Sequence, residues 1–141
     1  MIKQSLAALV LCIATAIALT ACGNTSVGSA SGGSNNLPSS ADGTGNPAVH
    51  MDNTTFIQPT ITIQTGQSVT LIADTYAPHR LANGTWENAV AKPAREQGAP
   101  TVANLEIPDH ASRAIGPFTT TGTFQFYCIL HAKMNLAVVV N

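Results

Sequence analysis

Three side chains able to hold a soft metal fall within one short stretch near the end of this chain: Cys128, His131 and Met134, inside Gly122 to Asn141. A thiolate, an imidazole and a thioether spaced Cys-x2-His-x2-Met match all but one ligand of a trigonal copper site with a weak axial sulfur. The missing member is a second imidazole. Each residue also has an ordinary reading. Cys128 fits a buried apolar cysteine or a disulfide with Cys22, His131 an exposed loop histidine, and Met134 core filling. Their spacing is what groups them.

The flanking runs show what would hold such a loop. Phe124, Phe126 and Cys128 fall on one face of an alternating strand, with Gln125 and Tyr127 on the other, so the thiol points inward with the aromatics. Beyond the loop, Leu136, Val138 and Val140 resume the two-residue period, although the run from Ala137 to Val140 also fits a strand buried on both faces. Sheet therefore brackets the loop on both sides.

The YCxxHxxM ending, followed by a valine-rich last strand, resembles the cupredoxins, small blue-copper electron carriers, and by loop length most resembles amicyanin. The resemblance covers roughly residues 51–141. It implies an all-β fold, a Greek-key antiparallel β-sandwich, and one copper ion in a type 1 site. It also implies a fourth ligand, His79 in Ala77-Pro78-His79, to join Cys128, His131 and Met134. Read alone, His79 also has the plainer reading of a solvated turn histidine. Forty-nine residues separate it from Cys128, so the topology has to bring the two together. Arg80 stands where many relatives carry an asparagine that braces the ligand loop, Ile129 where a hydroxyl residue follows the cysteine, and Leu130 where proline often precedes the histidine. These changes bear on reduction potential and remove no ligand. In cupredoxins the C-terminal histidine lies under an apolar surface patch through which the electron leaves. Its counterpart here is Ile129, Leu130 and Ala132, rimmed by Arg80 and Lys133, and the implied partner is a transient, acidic or neutral redox protein.

The chain of 141 residues has room for one domain, and 9% charged with 45% hydrophobic residues is low in charge for a globular protein. Part of that apolar excess lies in residues 1–21, where Lys3 precedes an apolar stretch and small residues precede Cys22, the pattern of an export signal. Leu19-Thr20-Ala21-Cys22 resembles a bacterial lipobox. That implies lipid on Cys22 and an extracytoplasmic protein held to a bacterial membrane, at the cell surface or in the periplasm. A plain secretory signal and an uncleaved anchor are the other readings. Residues 22–50, rich in Gly, Ser, Asn, Thr and Ala, read as a flexible tether; about 25 such residues span on the order of 25 to 30 Å. The folded domain is expected over residues 51–141, its chain starting near Met51 or Thr55. With Cys12 removed and Cys22 lipidated, Cys128 is a lone thiol in an oxidising compartment, where burial or a metal protects it.

Counted from Cys22, five basic side chains against seven acidic give a net charge of minus two, with no basic run, so nucleic acid is not an expected partner. Four histidines are too few for the extra catalytic copper of an oxidase or nitrite reductase, so the chain does not read as an enzyme. Copper handling without electron transfer is the alternative. A Met-rich tail would favour it, and the chain after Cys22 has only Met51 besides Met134.

In the middle of the chain, Ile61 and Ile63, then Val69, Leu71 and Ala73, read as two strands joined at Gly66-Gln67 by a hairpin or corner. His79 is expected in a turn-rich loop after Pro78. Asn83-Gly84 reads as a turn, Asn88 to Gln97 as a short helix interrupted by Pro93, Val102 to Ile107 as a strand, and Ile115 to Phe118 as an edge strand. Trp86 reads as a core or loop-packing residue, and His50 and His110 as surface residues.

Overall fold

The computed structural model describes residues 41–43 and 45–141; the expected export signal, Cys22 and the tether up to residue 40 lie outside the described residues. Within them every regular element is a strand: β1 (Ala48–Met51), β2 (Thr60–Ile63), β3 (Val69–Ala73), β4 (His79–Glu87), β5 (Val90–Pro93), β6 (Leu105–Ile107), β7 (Ser112–Ile115), β8 (Gly122–Cys128) and β9 (Asn135–Val140). One sheet has the order β1-β3-β7, and the other β2-β9-β8-β4-β5, with β6 paired to β4. This is the all-β architecture the resemblance implied. Two of its pairings, β1 with β3 and β2 with β9, are parallel, so each sheet is mixed.

Side-chain parity builds the core between these sheets. Val69, Leu71 and Ala73 of β3, Phe124, Phe126 and Cys128 of β8, and Leu136, Val138 and Val140 of β9 are all buried in one cluster. In β9 the intervening Asn135, Ala137 and Val139 are only half-buried, so the two-residue period holds. Phe118 lies against both Phe124 and Phe126, with ring centroids 5.7 and 6.0 Å apart. The turn at Gly66 (φ 89°) is a corner, because β2 joins β9 while β3 joins β1 and β7 of the other sheet.

Several local expectations differ from the structure: the edge strand expected over Ile115 to Phe118 is β7, which ends at Ile115, and the strand expected from Val102 begins only at Leu105. Pairing begins at Ala48, ahead of Met51, because the short Ala48–Met51 strand lies parallel to β3 with Ala48, Val49 and Met51 wholly buried. The stretch after Trp86 forms a hairpin with β4 in place of a helix. Asn88 and Ala89 both take positive φ, which matches the twist of a two-residue hairpin turn, and β5 then pairs back as far as Pro93 opposite Gly84. Asn83-Gly84, in turn, is no turn at all but the middle of β4. Gly84 (φ 126°) lets two backbones meet there, since a Cβ would sit 2.2 Å from the Lys92 carbonyl oxygen. The buried Asn83 carboxamide accepts from the Val102 N–H at 2.7 Å and donates to the Pro100 carbonyl at 3.1 Å, pinning the loop before β6.

Candidate metal centre

β4 places the first histidine. His79 is its first residue, paired with Ile107 of β6, and is therefore held by sheet and not by the turn-rich loop expected after Pro78. Two residues on, Leu81 stands opposite Cys128, the last residue of β8. Residues 79 and 81 share a face of the strand, so the imidazole projects beside the thiol. His79 Nδ1 lies 3.8 Å from Cys128 Sγ, and His131 Nδ1 lies 3.4 Å from the same sulfur. One ligand atom from each of the three residues falls within 4.8 Å of the others, the only such donor cluster among the described residues. Cys128 is fully buried, His79 is 1% exposed, and His131 is half-buried.

The loop from Cys128 to Met134 is closed by its own backbone. The Cys128 N–H donates to the Met134 carbonyl at 3.0 Å, and the Met134 N–H donates to the His131 carbonyl at 3.3 Å. Met134 is buried at the foot of this loop. The Ile129 N–H donates to the Arg80 carbonyl at 2.7 Å, which ties the loop to the strand carrying His79. A bracing role that the resemblance gives to an asparagine side chain is thus filled by main chain, which is indifferent to Arg80 being arginine. The Arg80 guanidinium pairs with Glu106, so its charge is engaged and the cationic rim reduces to exposed Lys133. Leu130, half exposed, and Ile129 flank His131, and a groove of about 270 Å³ lined by Pro78, His79, Ile107 and Leu130 opens beside them.

The donor set fits a metal. A thiolate and an imidazole bound to one ion at about 2.3 and 2.0 Å stand roughly 3.5 to 3.8 Å apart across tetrahedral to trigonal angles. The distances found bracket that span. Burial, reinforced by the neighbouring His131, pushes the His79 pKa below its ordinary value, while the nearby Asp52 pulls it the other way. His79 is therefore kept neutral, the form in which a ring nitrogen binds metal. Its Nε2 is buried without a hydrogen-bond partner.

Two residues beside the site carry no sequence signal. The Trp86 indole N–H donates to the Cys128 carbonyl at 2.8 Å, and the Asn135 side chain bonds both backbone groups of Trp86. They lie 42 and 49 residues from their partners, with no shared motif or period to relate them. His50, half-buried, pairs with Asp74 at 2.9 Å, and exposed His110 packs at a tilt against Tyr76; neither belongs to the donor cluster.

No protein-family model matches the sequence, and no curated protein does either. Solved structures do match. Amicyanin from Paracoccus versutus (Thiobacillus versutus) is 19% identical with a TM-score of 0.52, the match covering 75% of this chain and 86% of that one. An oxidised mutant amicyanin is 19% identical with a TM-score of 0.54, covering 71% and 86%. A reduced amicyanin mutant is 21% identical with a TM-score of 0.51, covering 70% and 84%. The chain has the amicyanin fold. At these identities the likeness to amicyanin fixes the arrangement of strands, while the site stands on its own side chains.

Proposed function

We propose that this chain is a type 1 copper protein that carries single electrons between protein partners outside the cytoplasm, tethered to a membrane by lipid on Cys22. The observation that carries this reading is the pair of imidazole Nδ1 atoms facing the buried Cys128 sulfur at 3.8 and 3.4 Å. His79, Cys128 and His131 would hold the metal, with the Met134 thioether as a weaker fourth donor. Bound copper supplies a one-electron couple between Cu(I) and Cu(II). The protein supplies the rest. Cys128 and His79 sit on paired strands and His131 on a loop closed by backbone bonds, so the donors have little room to rearrange when charge changes. Burial of the sulfur keeps water and oxidants from it. His131, half-buried beside Leu130 and Ile129, is the donor nearest the surface, where a weakly held partner would touch. Residues 22–40, ahead of the described chain, would serve as the tether that lets the sandwich turn toward that partner.

The test is to add Cu(II) to the purified protein and record absorption and voltammetry. An intense visible thiolate-to-copper band and a reversible one-electron wave are expected. Cys128→Ser should remove both while circular dichroism still reports sheet. A band that survives in Cys128→Ser rules out the thiolate ligand. Tight Cu(I) binding without a reversible couple would instead assign the chain to copper handling. Cys22→Ser should move the protein from the membrane to the soluble fraction, and an unchanged distribution would sink the tether.

A further inference from the structure

Cys128 has a carbonyl that the sheet does not serve. Its N–H donates to the Met134 carbonyl, so both of its backbone polar groups face the β9 side. The bond that would come back to its carbonyl is missing, because the Met134 N–H turns to His131 within the loop. The Trp86 indole N–H fills this place at 2.8 Å. Trp86 is itself fixed from β9: its N–H donates to Asn135 Oδ1 at 2.7 Å, and Asn135 Nδ2 donates to its carbonyl at 3.0 Å. Trp86 is paired with Ala91 of β5 on one edge, and pairing of β4 with β8 ends at Asn83, so the Asn135 carboxamide takes the place of a strand neighbour on its other edge. The indole rests edge-on against Tyr127, with centroids 5.8 Å apart at 87°. Strands β4, β8 and β9 are thus cross-tied at the residue whose sulfur faces both imidazoles, on the side opposite the ligands.

We propose that Trp86 and Asn135 are positioning residues, holding the Cys128 end of β8 and the loop to Met134 in ligand-binding shape before any metal arrives. Its metal-binding half rests on Cys128 being a ligand; its backbone half does not. Packing of the indole on Tyr127 is a separate contribution, and the test has to remove the N–H while keeping the ring.

Trp86 is the chain's one tryptophan, so growth with the benzothiophene analogue of tryptophan replaces the indole N–H by sulfur at that position alone. Amide hydrogen exchange is followed in the metal-free full chain at Cys128, Ile129 and Met134, with Phe126 and Leu136 as controls. Loss of one neutral hydrogen bond is expected to speed exchange at the first three by roughly twofold to tenfold and to leave the controls unchanged. In the same protein the affinity for Cu(II) is expected to fall by a similar factor, with a shifted thiolate-to-metal band. Asn135→Ala, which frees the Trp86 backbone, should move the same three amides, and it decides the matter if the analogue does not fold. Unchanged exchange at those amides, or exchange that rises equally at the controls, overturns the proposal, and so does unchanged affinity where Cu(II) binds. Absence of any thiolate-to-metal band in the unsubstituted protein would defeat the ligand reading separately, and the three amides would then decide the brace alone.

Discussion

The His79 ring is buried against a thiol and a second imidazole, so accepting a proton means giving up hydration that the unfolded chain would provide. Its pKa is lowered from the ordinary 6.5, with burial the larger cause and His131 the next. The sign of the consequence is definite. Above the unfolded value neither state holds the proton, and stability is complete. Below it the denatured chain binds a proton that the folded ring refuses, so stability drains away as pH falls toward the folded value. Each pH unit within that window costs at most about 1.4 kcal/mol for a single group. Metal-free protein should therefore show a falling urea midpoint from about pH 6.5 downward, and His79→Leu should flatten that slope. An unaltered slope in His79→Leu would place the acid sensitivity elsewhere. Asp52 acts in a separate window: hydrogen bonds from the Thr54 and Thr55 backbone hold its carboxyl below the ordinary 3.8, and that contribution is lost only as pH falls through the folded value. With copper bound the same protonation competes with the ligand, so occupancy should fail in acid as well.

At the scale of elements, β4 does the most to place the site, since it pairs with β6 over His79–Leu81, with β8 over Leu81–Asn83 and with β5 from Gly84 to Glu87. Gly84 is where the β5 backbone comes closest. Gly84→Ala would force a Cβ to 2.2 Å from the Lys92 oxygen at a φ of 126°, and should cost at least about 2 kcal/mol in urea unfolding. Gly66→Ala is the control: its φ is 89° but nothing lies within 4 Å, so only the backbone penalty of about 1 to 2 kcal/mol applies. Equal losses in the two would refute the close approach. The same strand shows what a sequence can and cannot reveal. Alternation in β3, β8 and β9 was legible because each strand has one face in the core, and the ligand loop was legible because its three residues are neighbours in sequence. The β4–β5 hairpin was misread because Asn83-Gly84 is a strong local turn signal that tertiary pairing overrides, while the true turn, Asn88-Ala89, lacks glycine. The placement of His79 within β4 depends on β6, the end of the strand expected over Val102 to Ile107, whose pairing with β4 no local pattern announces. The Trp86 and Asn135 contacts depend on side chains brought together only after three strands have paired.

For the molecule as a whole, the question is how much chain the sandwich needs in order to present its ligands together. β1 supplies the answer at the N-terminal end. Its Ala48, Val49 and Met51 are wholly buried, and it covers one edge of β3, whose other edge is taken by β7. Ahead of it, Asp42 accepts from the Thr70 hydroxyl at 2.9 Å, and the Pro47 carbonyl accepts from the Thr70 N–H at 2.8 Å. A chain begun at Ala41 keeps all of these contacts, and its urea midpoint should match that of the full chain. A chain begun at Asp52 loses β1. Removing buried Val49 and Met51 alone forfeits roughly 3 to 6 kcal/mol, a large part of the 5 to 15 that such domains possess, before the bared edge of β3 is counted. That shorter chain should unfold at far lower urea and bind Cu(II) weakly, because β3 packs in the same core as Cys128 and Met134. Equal midpoints for the Ala41 and Asp52 chains would show that β1 is an accessory strand and that the site is held by the larger sheet alone.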